Sequence, residues 1–188
     1  NEILKTYPTK EATLLDLYAG VGTFGIINSD LFKKVLILEN YKPAIENAKI
    51  NIQNNNIKNA EAFSLEAKQI DKLNLKERLF VITDPPRSGM EPKTLDKLNK
   101  LKPELIIYIS CNIEQLGKDL PKLKDYKIKS AALFDLFPQT NHAEAIIQAK
   151  EIRPEWVLKI TGLVNKRPEK NIKVDVLNGE VELEIMGI

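Results

Sequence analysis

Four short clusters of residues have side chains that could bind a cofactor or take part in catalysis. The first is Asp16-Leu-Tyr-Ala-Gly20-Val-Gly22-Thr-Phe-Gly25, which follows an apolar run typical of a buried strand. Its glycines match the G-x-G-x-x-G spacing, in which the backbone turns sharply into a helix N-terminus beside a bound ligand. Glu39 lies 19 residues after Gly20, where a carboxylate can accept hydrogen bonds from ribose hydroxyls.

Both a dinucleotide and an adenosyl sulfonium fit this first cluster. Asp16 precedes the first glycine by four residues, and a carboxylate there suits a cationic amino acid and sulfonium better than a pyrophosphate. Asp16, Gly20, Gly22 and Glu39 are therefore candidate cofactor-binding residues, and the sulfonium is the favoured ligand. A tight strand-to-helix turn without a ligand is the remaining interpretation.

The second and third clusters also follow apolar runs, at the end where open α/β sheets bind their ligands. Asp84-Pro-Pro-Arg87-Ser-Gly89 predicts a stiff loop in which Asp84 can accept from an imide or amino N–H. Arg87 stands where an aromatic residue would favour methylation of an amino group, and a plain turn is the alternative. Cys111 is by itself more typical of a small buried hydrophobe, but a helix N-terminus beside it would favour the thiolate.

The fourth cluster is Phe137-Pro-Gln-Thr-Asn-His142-Ala-Glu144, in a loop before an apolar run. His142 is the only histidine, and alone it is more typical of a loop hydrogen-bond partner than of a base. Glu144 alone would be an exposed carboxylate at the rim of a sheet. The four clusters taken together are much more specific than any one of them.

The composition excludes several classes of protein. The 188 residues are 43% hydrophobic with a net charge of +2, which fits one globular domain and gives no strong electrostatic footprint for nucleic acid. No apolar run approaches the ~20 residues of a membrane span, and no secretory signal opens the chain. The single cysteine excludes a disulfide framework and a multi-cysteine metal or iron–sulfur site, so we expect a cytoplasmic setting. Because the chain starts without a methionine, we expect a fragment whose missing part binds the substrate.

The elements that must position these clusters alternate between strands and helices. Short apolar runs predict buried strands at residues 14–18, 35–39, 79–83 and 105–110. Helical spacing and first-turn prolines predict helices from residue 43 to about 55, at 92–101 and at 113–123. Runs near 128–133 and 145–149 have no room for a crossover helix between them and should pair antiparallel at one edge. The predicted fold class is α/β, a doubly wound, mostly parallel sheet with an antiparallel edge strand.

The tail is predicted to be separate from this domain. Residues 1–150 form the predicted catalytic domain, and residues 151–188 form a C-terminal extension. Residues 172–185 alternate apolar and polar around Asn178-Gly179, the favoured pair for a two-residue turn, which predicts a β-hairpin with Val176 opposite Val181.

With the four clusters in hand, the sequence resembles the S-adenosylmethionine-dependent RNA uracil-C5 methyltransferases, the group that acts on tRNA position 54 and on 23S ribosomal RNA. The resemblance covers about residues 6–150, and the motif sequences are most similar to those of the archaeal branch. It rests on D-L-Y-A-G-V-G-T-F at 16–24, I-L-E-N at 37–40, D-P-P-R-S-G at 84–89, Y-I-S-C-N at 108–112 and F-P-Q-T-N-H-A-E at 137–144.

The resemblance implies a seven-stranded, Rossmann-like sheet of the class I methyltransferases, with S-adenosylmethionine as cofactor and no metal. It implies that Cys111 is the nucleophile and Glu144 the general base. It also implies that Asp84 lies between the cofactor and the target uracil. It also implies that the cofactor site includes Tyr18, Thr23, Glu39 and Asn40. Many members have asparagine in place of Thr23, and the family's amino-terminal RNA-binding part and iron–sulfur cysteines have no match here. The chain would then act as a monomer or as part of a longer protein.

The implied chemistry explains the residue types. The C5 atom of uracil is a poor nucleophile, and a thiolate that adds to C6 turns the ring into an enolate with electron density at C5. A base then removes the C5 proton, and the thiol leaves by β-elimination. The partner is an RNA, tRNA or rRNA, whose target uridine is flipped out of its stack.

Three alternatives stay open. A cytosine-C5 or amino methyltransferase acting on RNA would use the same cofactor, the former with Cys111 and the latter without it. An NAD-binding oxidoreductase would explain the glycines and Glu39 but gives Cys111 and Glu144 no joint task. A fragment that binds cofactor without turnover is the non-enzymatic alternative.

Overall fold

The strands of the protein, seen in a computed structural model, follow the predicted alternation closely. The structure describes residues 2–75, 78–134, 144–151, 161–166 and 181–187. In chain order, the strands in these residues are β1 (Thr13–Leu17), β2 (Lys34–Glu39), β3 (Ala60–Ser64), β4 (Leu79–Thr83), β5 (Leu105–Ser110), β6 (Tyr126–Phe134), β7 (Glu144–Glu151), β8 (Thr161–Lys166) and β9 (Val181–Gly187).

The helices of the described residues lie between these strands. They are α1 (Glu2–Lys5), α2 (Thr23–Ile27), α3 (Lys42–Asn54), α4 (Pro92–Leu101) and α5 (Ile113–Asp119), with short 3₁₀ turns at Ser29–Leu31, Ala67–Lys72 and Leu120–Lys122. Prolines lie in the first turn of α3 and of α4, where a missing N–H costs nothing. The predicted helix over 113–123 is α5 followed by the last 3₁₀ turn. No described helix is long and apolar enough to cross a membrane.

Seven of the strands form one sheet in the order β3-β2-β1-β4-β5-β7-β6. Strands β1 to β5 are parallel, and β7 pairs antiparallel with both β5 and β6. The mostly parallel sheet and the antiparallel pairing of the last two strands are therefore confirmed. The reversed strand is not the outermost one, since β7 lies between β5 and β6.

The side chains of the central strands alternate between two apolar cores. One core, here called the α1–α3 face, contains Leu14, Ile37, Phe80 and Ile107 with apolar residues of helices α1 to α3. The other, the α4–α5 face, contains Leu15, Leu17, Val81, Ile106 and Tyr108 with apolar residues of α4 and α5. Because both faces are covered, β1, β4 and β5 are buried along their whole length, which explains their unbroken apolar runs.

The tail is described only in part. Strand β9 (Val181–Gly187) corresponds to the second strand of the predicted hairpin, and it pairs antiparallel with β8 (Thr161–Lys166), which the sequence did not predict. The predicted first strand, at residues 172–176, and the turn at 178–179 lie outside the described residues.

Candidate functional site

Three of the predicted site residues lie at the same edge of the sheet because their strands are parallel. Asp16 is in β1, Asp84 directly follows β4, and Cys111 directly follows β5. Asp16 alternates with Leu15 and Leu17 of the α4–α5 face, and its carboxylate contacts α2 on the opposite, α1–α3 face. Asp84 and Cys111 follow Ile82 and Ile109 of the α1–α3 face by two residues, so the strand alternation assigns them to that face too.

The reversed direction of β7 adds Glu144 to this edge. The last residue of β5, Ser110, pairs with Ala145 of β7, so the next position along the ladder brings Cys111 beside Glu144. Ala145 belongs to the α4–α5 core and Ile146 packs against the other, so Glu144 is on the α1–α3 face with Cys111. Neighbouring strands are about 4.8 Å apart. Extending this register by one position makes the backbones of Cys111 and Glu144 neighbours at the site edge.

The carboxylates of the site influence one another. Asp16 is only 1% exposed, its Oδ2 accepts from the Gly25 N–H at 2.7 Å, and its Oδ1 has no hydrogen-bond partner among the described residues. Burial raises the pKa of Asp16 to about 7, the charge of Asp84 adds to the rise, and the Gly25 bond opposes it. Partial burial and then the charge of Glu144 raise the pKa of Asp84 to about 6. The crowded negative charge would be relieved by a cationic ligand.

The glycine turn provides open space next to a second carboxylate. Gly20 has φ of 54°, and a Cβ added there would meet nothing within 4 Å. Its N–H donates to Glu39 Oε2 at 3.0 Å, and Glu39 Oε1 accepts from the Tyr41 N–H at 2.8 Å. A carboxylate has about four acceptor positions, so Glu39 keeps capacity for two hydroxyls. The ring of Tyr41, 65% exposed beside Glu39, is a flat apolar surface that our sequence analysis missed.

Two of the glycines have a different role from Gly20. A Cβ on Gly22 would lie 3.1 Å from Ile37 Cδ1, and one on Gly25 would lie 2.8 Å from Ile37 Cγ1. Both glycines therefore let α2 pack closely on the sheet. Gly22 was predicted to be a cofactor-binding residue, and its φ of 82° at the start of α2 also shapes the turn.

The remaining residues predicted for the cofactor site are more dispersed. Tyr18 has a φ of 57°, uncommon for a residue with a side chain, and its ring packs on the α4–α5 face. Burial raises the pKa of its hydroxyl. Thr23 and Asn40 are exposed, at the start of α2 and directly after β2. The position of His142 lies outside the described residues.

Asn112 connects the cysteine turn to the Asp84 loop. Its Oδ1 accepts from the Gln115 N–H at 3.1 Å and so caps α5, while its Nδ2 donates to the Arg87 carbonyl at 2.9 Å. The sequence signal for the cap was present, since asparagine directly before a helix is a preferred N-cap. The bond to Arg87 spans 25 residues and had no sequence signal.

Comparison with known proteins shows the family of this chain. A sequence profile described as tRNA (uracil-5-)-methyltransferase matches residues 2–152. The chain belongs to this family. An uncharacterized RNA methyltransferase of Nanoarchaeum equitans is 38% identical over 146 residues, 78% of this chain and 32% of that protein. The tRNA (uracil(54)-C(5))-methyltransferase of Pyrococcus abyssi is 38% identical over 133 residues, 71% of this chain and 32% of that protein.

A solved structure of the tRNA (uracil-5-)-methyltransferase family has the same fold. The crystal structure of Pyrococcus abyssi tRNA (uracil-54, C5)-methyltransferase in complex with S-adenosyl-L-homocysteine matches with a TM-score of 0.68 and 33% identity. The match covers 79% of this chain and 36% of that one, so the chain spans about a third of the length of its relatives. The fold is that of the class I methyltransferases.

Family membership and strand order both argue against the NAD-binding alternative. Dinucleotide-binding sheets have the order 3-2-1-4-5-6, whereas this sheet has the reversed β7 inserted between β5 and β6. In the part of the chain that the structure describes, no group of three or more potential metal ligands converges.

Proposed function

We propose that residues 1–150 of this chain form the catalytic domain of an enzyme that transfers a methyl group from S-adenosylmethionine to C5 of a uridine in RNA. The observation that carries the proposal is the pairing of Ser110 with Ala145, which brings Cys111 beside Glu144 at the edge where Asp16 and Asp84 lie. A thiol next to a carboxylate is what covalent activation and deprotonation of a pyrimidine require.

The residues of the site fit an adenosyl sulfonium. The buried Asp16 Oδ1 without a partner among the described residues and the raised pKa values of Asp16 and Asp84 favour a ligand that carries positive charge. Glu39 keeps acceptor capacity for ribose hydroxyls beside the open space at Gly20, and the Tyr41 ring can stack on an adenine. S-adenosylmethionine, when bound, supplies an electrophilic methyl group.

The nucleophile in this proposal is Cys111, which is partly exposed at the carboxyl end of β5. Its thiolate adds to C6 of the uracil, and the C5=C6 electron pair moves to form an enolate with nucleophilic character at C5. With S-adenosylmethionine bound, C5 would take its methyl group, and the electron pair of the broken sulfur–methyl bond would stay on the sulfur of the departing S-adenosylhomocysteine. Asp84 accepts a hydrogen bond from the N3–H of the uracil and holds the ring in the plane that both steps need.

Glu144 completes the reaction as the general base. Its carboxylate takes the proton from C5, the C5–H electron pair restores the C5=C6 double bond, and the C6–S bond breaks. The electron pair of that bond returns to sulfur, so Cys111 leaves as a thiolate and the proton stays on Glu144. The site starts the next cycle once Glu144 has released that proton.

We further propose that RNA binding depends on parts of the protein beyond this chain. The family relatives are about three times as long as the matched region, and the net charge of +2 gives the chain little general attraction for nucleic acid. The target uridine must leave its stack to reach Cys111, since the thiol adds to the ring face.

The test uses RNA transcripts that contain 5-fluorouridine. Fluorine at C5 cannot leave as a proton, so the proposal predicts a covalent protein–RNA complex on a denaturing gel in the presence of S-adenosylmethionine. The Cys111→Ala variant should form no complex and should bind S-adenosylmethionine within about threefold of the unchanged chain. The Pyrococcus abyssi relative serves as a positive control for the RNA.

The outcomes separate the candidate functions. A complex that survives Cys111→Ala would contradict the nucleophile. A protein that binds S-adenosylmethionine but traps neither 5-fluorouridine RNA nor millimolar 5-fluorouridine would contradict C5 of uridine as the target. Trapping of 5-fluorocytidine RNA instead would favour a cytosine-C5 methyltransferase.

A further inference from the structure

Asp119, at the end of α5, is a fully buried carboxylate that the proposed reaction does not use. Its Oδ2 accepts from the Met90 N–H at 2.9 Å and from the Tyr108 hydroxyl at 2.9 Å. Its Oδ1 accepts from Gln115 Nε2 at 3.0 Å and from Lys122 Nζ at 3.1 Å. Four donors from separate positions satisfy the charge, which is what a buried carboxylate needs.

One of these contacts, the bond from the Met90 N–H, reaches the loop that carries Asp84. Met90 directly follows Gly89, which has φ of 77°, and a Cβ on Gly89 would collide with Asp119 Oδ2. The loop backbone therefore lies directly on the carboxylate. The same loop is bonded to the cysteine turn where Asn112 donates to the Arg87 carbonyl.

The two anchors hold the Asp84 loop to a single element. Asn112 is the N-cap of α5 and Asp119 is its last residue. The two ends of α5 therefore each hold the loop, at Arg87 and at Met90. Cys111 directly precedes Asn112. A movement of α5 relative to β4 would thus change the distance between Asp84 and Cys111.

We propose that Asp119 is a positioning residue that holds the Asp84 loop against α5 and so sets the placement of Asp84 relative to Cys111. This inference rests on the proposed function for its kinetic consequence. Its structural part, the anchoring of the loop, stands independently of which RNA is methylated. Asp119 does not touch the substrate in this proposal.

The test compares Asp119→Ala with Asp119→Asn, and with Asp125→Ala as a control that removes an exposed carboxylate paired with Lys102. In Asp119→Ala we expect kcat for RNA methylation to fall at least tenfold while the KM for S-adenosylmethionine changes less than threefold. The hydrogen bonds described for Asp16, Gly20 and Glu39 do not involve Asp119. Asp119→Asn should recover kcat to within about threefold, because its carbonyl oxygen can still accept from Met90 and Tyr108.

A second measurement does not depend on activity. Hydrogen exchange at the Met90 amide should accelerate at least tenfold in Asp119→Ala, with the Gly25 amide unchanged. Gly89→Ala, which would push the loop off the carboxylate, should give the same local pattern if Asp119→Ala fails to fold. If wild-type protein binds S-adenosylmethionine but traps neither 5-fluorouridine RNA nor millimolar 5-fluorouridine, the proposed function fails, while these exchange rates still decide whether the loop is anchored.

Several results would overturn the inference. Equal losses of kcat in Asp119→Ala and Asp119→Asn would show that shape and hydrogen bonding are not what matters. Uniform acceleration of exchange at Met90 and Gly25 would show a general loss of stability. An unchanged kcat in folded Asp119→Ala would show that the loop needs no anchor.

Discussion

Replacing Asp16 by asparagine should stabilise the ligand-free protein at pH 8 and weaken its binding of S-adenosylmethionine. Asp16 is almost fully buried, and its pKa is raised from 3.8 to about 7, chiefly by burial. As the pH rises above 3.8, the unfolded chain ionises this carboxyl while the folded chain keeps its proton until about pH 7. Ionisation therefore favours the unfolded state over this window, and the free energy of unfolding falls as pH rises.

The size of the effect follows from the shift in pKa. Each unit corresponds to about 1.4 kcal/mol, so the full shift corresponds to about 4 kcal/mol. Roughly 3 kcal/mol of this change in unfolding free energy falls between pH 5 and pH 8, because the unfolded carboxyl is already ionised at pH 5. An asparagine at this position has no such titration, and its amide oxygen can still accept from the Gly25 N–H. The stability difference between variant and wild type should thus grow by roughly 3 kcal/mol over this range.

Urea denaturation at pH 5, 6, 7 and 8, followed by circular dichroism, measures this difference. Asp96→Asn on the exposed side of α4 controls for the loss of one carboxylate. A difference between Asp16→Asn and wild type that stays constant from pH 5 to pH 8 would refute the argument that burial keeps Asp16 protonated.

Calorimetry of the same variant tests the predicted loss of affinity for S-adenosylmethionine. A cationic ligand favours the ionised carboxylate, and a hydrogen bond to a charged group contributes about 1.5–3 kcal/mol. We expect the affinity of Asp16→Asn for S-adenosylmethionine to be at least tenfold weaker at pH 8. Unchanged affinity would show that Asp16 shapes the turn at Gly25 without contributing to cofactor binding.

Substitutions at three other positions test separate parts of the site. Glu144→Gln should let the RNA adduct of Cys111 accumulate on denaturing gels, since proton removal precedes release of the thiol; normal turnover without adduct would exclude Glu144 as the base. Glu39→Ala should weaken S-adenosylmethionine binding by about 1–3 kcal/mol in calorimetry, because ribose hydroxyls lose their acceptor, and an unchanged Kd would remove it from the site. Asn112→Ala should lower the unfolding free energy by about 1 kcal/mol through loss of the α5 cap. Asn112→Ser, which keeps the cap but loses the bond to Arg87, should retain that stability yet slow methyl transfer.

Most of the sheet could be predicted because its strands are short, apolar and bounded. The runs at 79–83 and 105–110 correspond to β4 and β5 without shifts, and the helix at 92–101 corresponds to α4. Strand β3 was missed, because Ala60-Glu-Ala-Phe-Ser64 is a half-buried edge strand without an apolar run. Strand β8 was missed as well, since its pairing with β9 joins residues far apart in the sequence.

Candidate site residues could be named from the sequence, but their geometry could not be predicted from it. The motifs indicated Asp16, Asp84, Cys111 and Glu144, and the strand ends indicated their common edge. No local pattern predicts that Tyr18 takes a positive φ and turns its ring to the α4–α5 face. The contact of Asp119 with the Asp84 loop could not be predicted from the sequence either, because it joins residues 29 positions apart.

The reversed direction of β7 has a chemical consequence that the sequence order alone conceals. Parallel strands present only their carboxyl ends at the site edge, so each contributes the residue that follows it, as β4 contributes Asp84 and β5 contributes Cys111. A parallel β7 would begin at the opposite edge, and Glu144, its first residue, would lie about 23 Å from Cys111, since strands rise about 3.3 Å per residue. Because β7 is antiparallel, it begins at the site edge, and the Ser110–Ala145 pair places the Glu144 backbone at the end of the ladder where Cys111 follows β5. The antiparallel strand is therefore what would allow the proposed base, Glu144, to serve the proposed nucleophile, Cys111, which precedes it by 33 positions.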